Sequence, residues 1–99
     1  MATKYRLEHL SSFHGDIVKV AEDLEEYPSK ASRIFAKVDE ATLNLLDWPE
    51  IHQVYLDLPS YRYIVIEDYI VLYKFHKQTG LIEVHRLLYG GMDIPAHMR

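Results

Sequence analysis

The sequence predicts an α+β domain: an N-terminal strand, an antiparallel helical hairpin, then a three- to four-stranded antiparallel sheet. Two patterns and their order predict it. Between Tyr61 and Ile94 three apolar runs rich in Tyr, Ile and Val are split by short polar breaks, as in a meander. Between Phe13 and Leu45 apolar residues recur at steps of three and four, the period of amphipathic helices. Helices and meander occupy separate stretches, which is the α+β arrangement.

Lys4–Leu10 alternates apolar Tyr5 and Leu7 with Arg6 and Glu8, the period of a half-buried strand. Ser11 and Ser12 follow as candidate N-caps. Phe13, Ile17, Val20, Leu24 and Tyr27 then line one face of a first helix, with Lys19, Glu22, Asp23, Glu25 and Glu26 on its wet face. Pro28-Ser29 ends it and opens a second, since proline is tolerated in a first helical turn. Ala31, Ile34, Phe35, Val38, Ala41, Thr42 and Leu45 form the apolar face of that helix. It should stop near Asp47-Trp48-Pro49, because a residue before proline avoids helical angles.

Val54, Leu56 and Leu58 alternate again, so the sheet is expected to begin before Pro59. The runs Tyr61–Ile66, Tyr69–Phe75 and Leu81–Tyr89 follow, with breaks at Glu67-Asp68 and Lys77–Gly80. The middle run is the most continuously apolar and is expected at the centre of the sheet.

A chain of 99 residues is long enough for one domain, here residues 1–99, with a modest core. Apolar residues make up 48% of it and the mean hydropathy is −0.18, which excludes a disordered chain. No apolar run approaches the roughly 20 residues that span a bilayer. Residues 1–12, MATKYRLEHLSS, lack the apolar centre of a signal peptide, so a cytoplasmic location without membrane contact is expected. Cysteine is absent, which removes disulfides and thiol chemistry. The net charge of −4 sits wholly in residues 1–50, which carry 6 basic against 10 acidic side chains; residues 51–99 balance 5 against 5. That charge does not favour direct binding to nucleic acid, which leans on a basic footprint.

Six histidines are scattered without a recognised ligand spacing, so neither a metal nor any other cofactor is expected. No phosphate-binding glycine loop or nucleophile elbow occurs. Arg62 and Arg86 stand alone inside apolar strands, where an ionised guanidinium must find a partner or the rim of a cleft. Pairing with Glu67 or Asp93 is the structural account of them, weighed evenly against a functional one. Tyr89 closes the last strand beside Gly90-Gly91, where a side chain can face a cleft. Arg62, His85, Arg86 and Tyr89 together have the chemistry for metal-free RNA cleavage. Strand alternation, however, turns His85 and Tyr89 to one face and Arg86 to the other.

The order of elements, with Arg62, Ile64, Val65, Ile66, the Glu67-Asp68 turn, Tyr69, Ile70, Tyr73 and the run Arg86-Leu87-Leu88-Tyr89-Gly90-Gly91-Met92-Asp93-Ile94, resembles the RelE/ParE superfamily. These are the toxins of type II toxin–antitoxin modules. The resemblance covers essentially the whole chain, including Asp23-Leu24 in the hairpin and the Leu46 to Pro49 exit. It departs from the family at Tyr89, where a histidine is usual, at Met92, where many members carry arginine, and at Glu67-Asp68, where Gly-Asn is usual. It implies a growth-inhibiting toxin neutralised by a cognate antitoxin, which alone would contact DNA. ParE-like inhibition of DNA gyrase, without enzymatic activity, is favoured, because Ile51–Tyr61 holds no Lys or Arg. The alternative is a RelE-like, ribosome-dependent messenger RNA endonuclease, in which Arg62, Arg86 and Tyr89 would be catalytic. A second alternative is a toxin-derived protein that keeps only the antitoxin interface.

Overall fold

The computed structural model describes residues 4–98; the outermost residues of the expected 1–99 domain and of the leader reading lie outside them. Strand β1 (Arg6–His9) is followed by helices α1 (Ser11–Asp23) and α2 (Pro28–Asn44). Then come the two-residue β2 (Val54–Tyr55), β3 (Leu58–Ile66), β4 (Tyr69–His76), β5 (Leu81–Tyr89) and a short α3 (Ile94–His97). All strands join one sheet in the order β1-β5-β4-β3-β2. The central strand is β4, as its apolar run requires.

Neighbouring strands pair antiparallel except β1, which lies parallel to β5 with Arg6 opposite Leu81 and His9 opposite Val84. A parallel neighbour needs a crossover connection, and the helical hairpin supplies it. The N-terminal strand is therefore part of the sheet and covers only half of β5.

The hairpin covers one face of the sheet, here the inner face. Phe13, Val20 and Leu24 from the α1 side and Ile34, Val38 and Leu45 from the α2 side pack on Ile64, Val71, Tyr73, Ile82, Val84 and Leu87. Fully burying each aliphatic side chain contributes about 1.5–3 kcal/mol. The outer face has a smaller core, Leu72 and Leu88 beneath Ile94 of α3, flanked by Tyr55, Tyr61, Tyr63 and Met98.

Local chemistry differs from expectation at the start of α1 and at the end of α2. The residue before α1 is Leu10, whose side chain makes no cap, and Ser12 instead donates to the His85 carbonyl at 2.7 Å. Packing against β5 thus takes the hydroxyl that a cap would have used. Helix α2 begins at Pro28 as expected, but regular helix stops at Asn44 and hydrogen-bonded turns carry the chain to Trp48.

Candidate functional site

Arg62, Arg86 and Tyr89 occupy three different environments. Arg62 lies on β3 opposite Tyr73, on the inner face. Its guanidinium donates to the His52 carbonyl at 2.7 Å and the Glu50 carbonyl at 3.4 Å, and stands 3.6 Å from the Glu50 carboxylate. Beside it the Tyr73 hydroxyl, its pKa pushed up to about 12 chiefly by burial, donates to the Pro49 carbonyl at 2.9 Å. These two side chains stitch the 49–52 loop to the sheet and satisfy carbonyls that no regular element would satisfy.

Arg86 is held more tightly. Its Nε and Nη2 donate to the two carboxylate oxygens of Asp16 at 2.7 and 3.0 Å, a bidentate pair, and Nη1 donates to the His97 carbonyl at 3.1 Å. Asp16 also accepts the Leu87 amide at 2.9 Å. Strand β1 ends opposite Val84, so the next stretch of β5 has a free edge, and a carboxylate from α1 stands where a strand would have been. Asp16 is only 8% exposed. Its hydrogen bond is the main reason the Arg86 pKa rises above its ordinary value. The partners are not the expected ones: Asp16, Glu50 and backbone carbonyls take the roles assigned to Glu67 and Asp93.

Tyr89 is half exposed, opposite Tyr69, with the two rings edge-on at 6.0 Å. A Cβ on Gly91 would lie 2.5 Å from the Tyr89 ring, so this close approach requires glycine. Arg86 and Tyr89 line one recess of about 120 Å³ together with Asp16, Lys19, Asp23 and His97. Arg62 lies far from it. Its cross-strand partner Tyr73 is four residues along β4 from Tyr69, the partner of Tyr89. Two strand spacings and four residues along a strand amount to about 16 Å.

The facing of the last strand corrects the parity argument. Tyr73 pairs with Val84 but Leu72 with Arg86, so His85 is an extra residue in a β-bulge. The bulge places Arg86 on the outer side beside His85 and returns Leu87 and Tyr89 to the inner side. Simple alternation set His85 with Tyr89 and against Arg86; both relations are reversed, while Arg86 and Tyr89 stay on opposite sides as expected.

The acids of the β3–β4 turn are neutralised by α2. Arg33 clamps Glu67 at 2.7 and 2.8 Å, Lys37 reaches it at 3.1 Å, and Lys30 reaches Asp68 at 3.4 Å. Hydrogen bonds from Arg33 and Lys37 lower the Glu67 pKa to about 2. The turn residue Glu67 has a positive φ of 53°, a conformation that glycine or asparagine adopts at less cost.

One group was not anticipated. On the outer face the Lys74 ammonium stands 4.7 Å over the Tyr61 ring, whose edge meets the His85 ring at 5.1 Å. Glu83 is hydrogen-bonded to His76 and lies 3.6 Å from His85 Nε2, a buried nitrogen without a hydrogen-bond partner. Burial lowers the His85 pKa against the opposing effect of Glu83. The signal was present in the sequence: Tyr61 and Tyr63, Lys74 and His76, and Glu83 and His85 are each spaced by two, the period of one strand face. Among the described residues no group of three or more His, Asp or Glu is placed to hold a metal ion, and no helix is long and apolar enough to cross a membrane.

The sequence model described as "ParE toxin of type II toxin-antitoxin system, parDE" matches residues 11–94, most of the chain. No curated protein matches in sequence. Among solved structures the toxin–antitoxin complex RelBE2 from Mycobacterium tuberculosis is similar, with a TM-score of 0.65 and 17% identity over 86% of this chain and 96% of that one. At that identity the likeness shows the fold.

Proposed function

This chain belongs to the ParE toxin family of type II toxin–antitoxin systems, and from that premise we propose that it acts by binding DNA gyrase rather than by cutting RNA. The observation that carries the reading is the occupation of its two strand arginines. Arg86 is paired on both oxygens of Asp16, and Arg62 is spent on the 49–52 carbonyls. Neither guanidinium is presented to a phosphate, and Tyr89 shares a recess with only one of them. An endonuclease needs such groups convergent on one scissile bond.

The proposed partner in the resting module is a cognate antitoxin. The solved relative is a toxin–antitoxin complex, and a segment that folds on binding along the hairpin and the sheet fits this architecture. Supercoiling by purified gyrase should fall as the chain is added and recover when the antitoxin is supplied. Unhindered supercoiling at large toxin excess would reject the proposal.

Ribosome-dependent cleavage is a second reading favoured by one observation, the outer-face group of Tyr61, Lys74, His76, Glu83 and His85. These side chains could move protons and steady a phosphate. Toeprinting of ribosomes after induction separates the readings: codon-level cuts that disappear in His85→Ala would support this one. Normal growth at good expression would instead favour a chain that retains only antitoxin binding.

A further inference from the structure

The outer face has a second feature, at the corner where β2 meets β3. Gln53, Val54, Tyr55, Leu56, Asp57 and Tyr63 line a groove of about 590 Å³. Its floor is aromatic: the Tyr55 and Tyr63 rings meet edge-on at 5.6 Å, and the Tyr63 hydroxyl is tied to the Gln53 side chain at 3.2 Å. Its lip is apolar, since Leu56 is 91% exposed. A leucine so placed contributes nothing to the core, and exposed apolar surface of this kind marks contact with other molecules.

The groove's own lining holds a carboxylate and no cation, and the outer-face ammonium of Lys74 is engaged over the Tyr61 ring. Asp57 lines the groove with Tyr55, and Asp93 precedes Ile94, whose cluster Tyr55 packs against; the charges of both carboxylates add to burial in raising the Tyr55 pKa. Among the described residues neither carboxylate has an ion-pair partner; Asp93 accepts only the Ala96 amide of α3. No Lys or Arg occurs from Ile51 to Tyr61, and the next cation, Arg62, points to the inner face and is occupied by the 49–52 loop. Two aromatic rings and two uncompensated carboxylates, beside an exposed leucine, match a guanidinium flanked by an aliphatic residue. An aromatic ring attracts a cation, a carboxylate accepts its hydrogen bonds, and an exposed leucine can cover the neighbouring side chain. Phosphate-bearing partners are repelled by the same charges.

We propose that this groove is a docking site for an extended protein segment, one that lays an arginine over Tyr55 and Tyr63 within reach of Asp57 and Asp93 and rests an apolar neighbour on Leu56. The site is separate from the arginine-lined recess beside α1. It does not depend on whether gyrase or the ribosome is the target.

The test is a nuclear magnetic resonance titration of the full chain with a capped leucine–arginine–leucine tripeptide, and with the same peptide carrying citrulline, the neutral isostere of arginine. The arginine peptide should move the signals of Tyr55, Leu56, Asp57 and Tyr63 in a saturable way. The citrulline peptide should bind roughly fivefold to tenfold more weakly. Asp57→Asn combined with Asp93→Asn should weaken the arginine peptide to a similar degree. Both positions are exposed, and asparagine retains an oxygen for the Ala96 amide, so the remaining spectrum should be unchanged. Equal binding of the citrulline peptide, shifts concentrated on the acidic surface of α1, or undiminished binding by the double variant would each overturn the proposal. The citrulline comparison leaves the protein unaltered, so it decides the matter even if the double variant misfolds.

Discussion

Replacing Asp16 by alanine removes three hydrogen bonds at once, two from Arg86 and one from the Leu87 amide. The amide lies in the buried part of β5 and would be left without a partner, which costs about 1–3 kcal/mol. Breaking a fully buried ion pair by deleting one member costs about 3–5 kcal/mol. Here the Arg86 side chain is 22% exposed and keeps the His97 carbonyl, so solvent recovers part of that loss. Together the losses should come to about 3 kcal/mol, a large share of the roughly 5–15 kcal/mol that holds a domain together. The unfolding temperature of a domain this size would fall by about 12–24 °C. Asp16→Asn keeps one oxygen for the amide and should lose about half as much. Urea unfolding of Asp16→Ala, Arg86→Ala and the double variant closes a thermodynamic cycle, with an expected coupling of about 1–2 kcal/mol. Additivity of the two single losses within about 0.5 kcal/mol would refute the view that Arg86 is held chiefly for structure.

Three further expectations concern charge and packing. The Glu67 pKa is lowered to about 2, so its clamp contributes fully above the unfolded value of 4.5 and is lost as pH falls through about 2; stability curves of Glu67→Gln should be flatter over that interval. Burial lowers the pKa values of His9, His52 and His85 below 6.5, and unfolded chains then bind more protons than folded ones as pH drops through that value. Thermal stability should therefore decline from pH 7.5 to 5.5, and less steeply in His85→Gln; a pH-independent midpoint would contradict the burial of these rings. Gly91→Ala places a methyl 2.5 Å from the Tyr89 ring, and the half-exposed ring should swing aside at a loss of about 1 kcal/mol. Tyr89→Ser in the same chain should recover most of that loss in urea unfolding.

The elements were legible because each carries its own period. Helix α2 repeats at three and four from Ala31 to Leu45, and the meander is punctuated by Glu67-Asp68 and Lys77–Gly80. Long-range pairing was less so. Nothing in Arg6–His9 says that it lies parallel to Leu81–Val84, since alternation fixes a strand's faces and not its neighbour. The partner of Arg86 was hidden for the same reason: Asp16 lies 70 residues away, and no helical period singles it out. The bulge at His85 left no punctuation in an apolar run, so counting by twos placed His85 with Tyr89 instead of with Arg86. The outer-face group was legible in principle, as three pairs of polar or aromatic residues spaced by two.

The parallel pairing of β1 with β5 also sets a clock. Arg6 waits for Leu81, so β1 cannot find its place until 75 further residues have been made. At about 5–20 residues per second that is a delay of roughly 4–15 s. Throughout it Phe13 and Val20 lack the β5 surface that buries them, and Asp16 lacks its arginine. Pairing at such sequence separation is slow for the free chain as well, because the loop must close before any contact rewards it. The sheet is thus closed by one of its earlier strands, and a nascent chain has neither its complete sheet nor the Arg86 latch until residues 81–86 have been made.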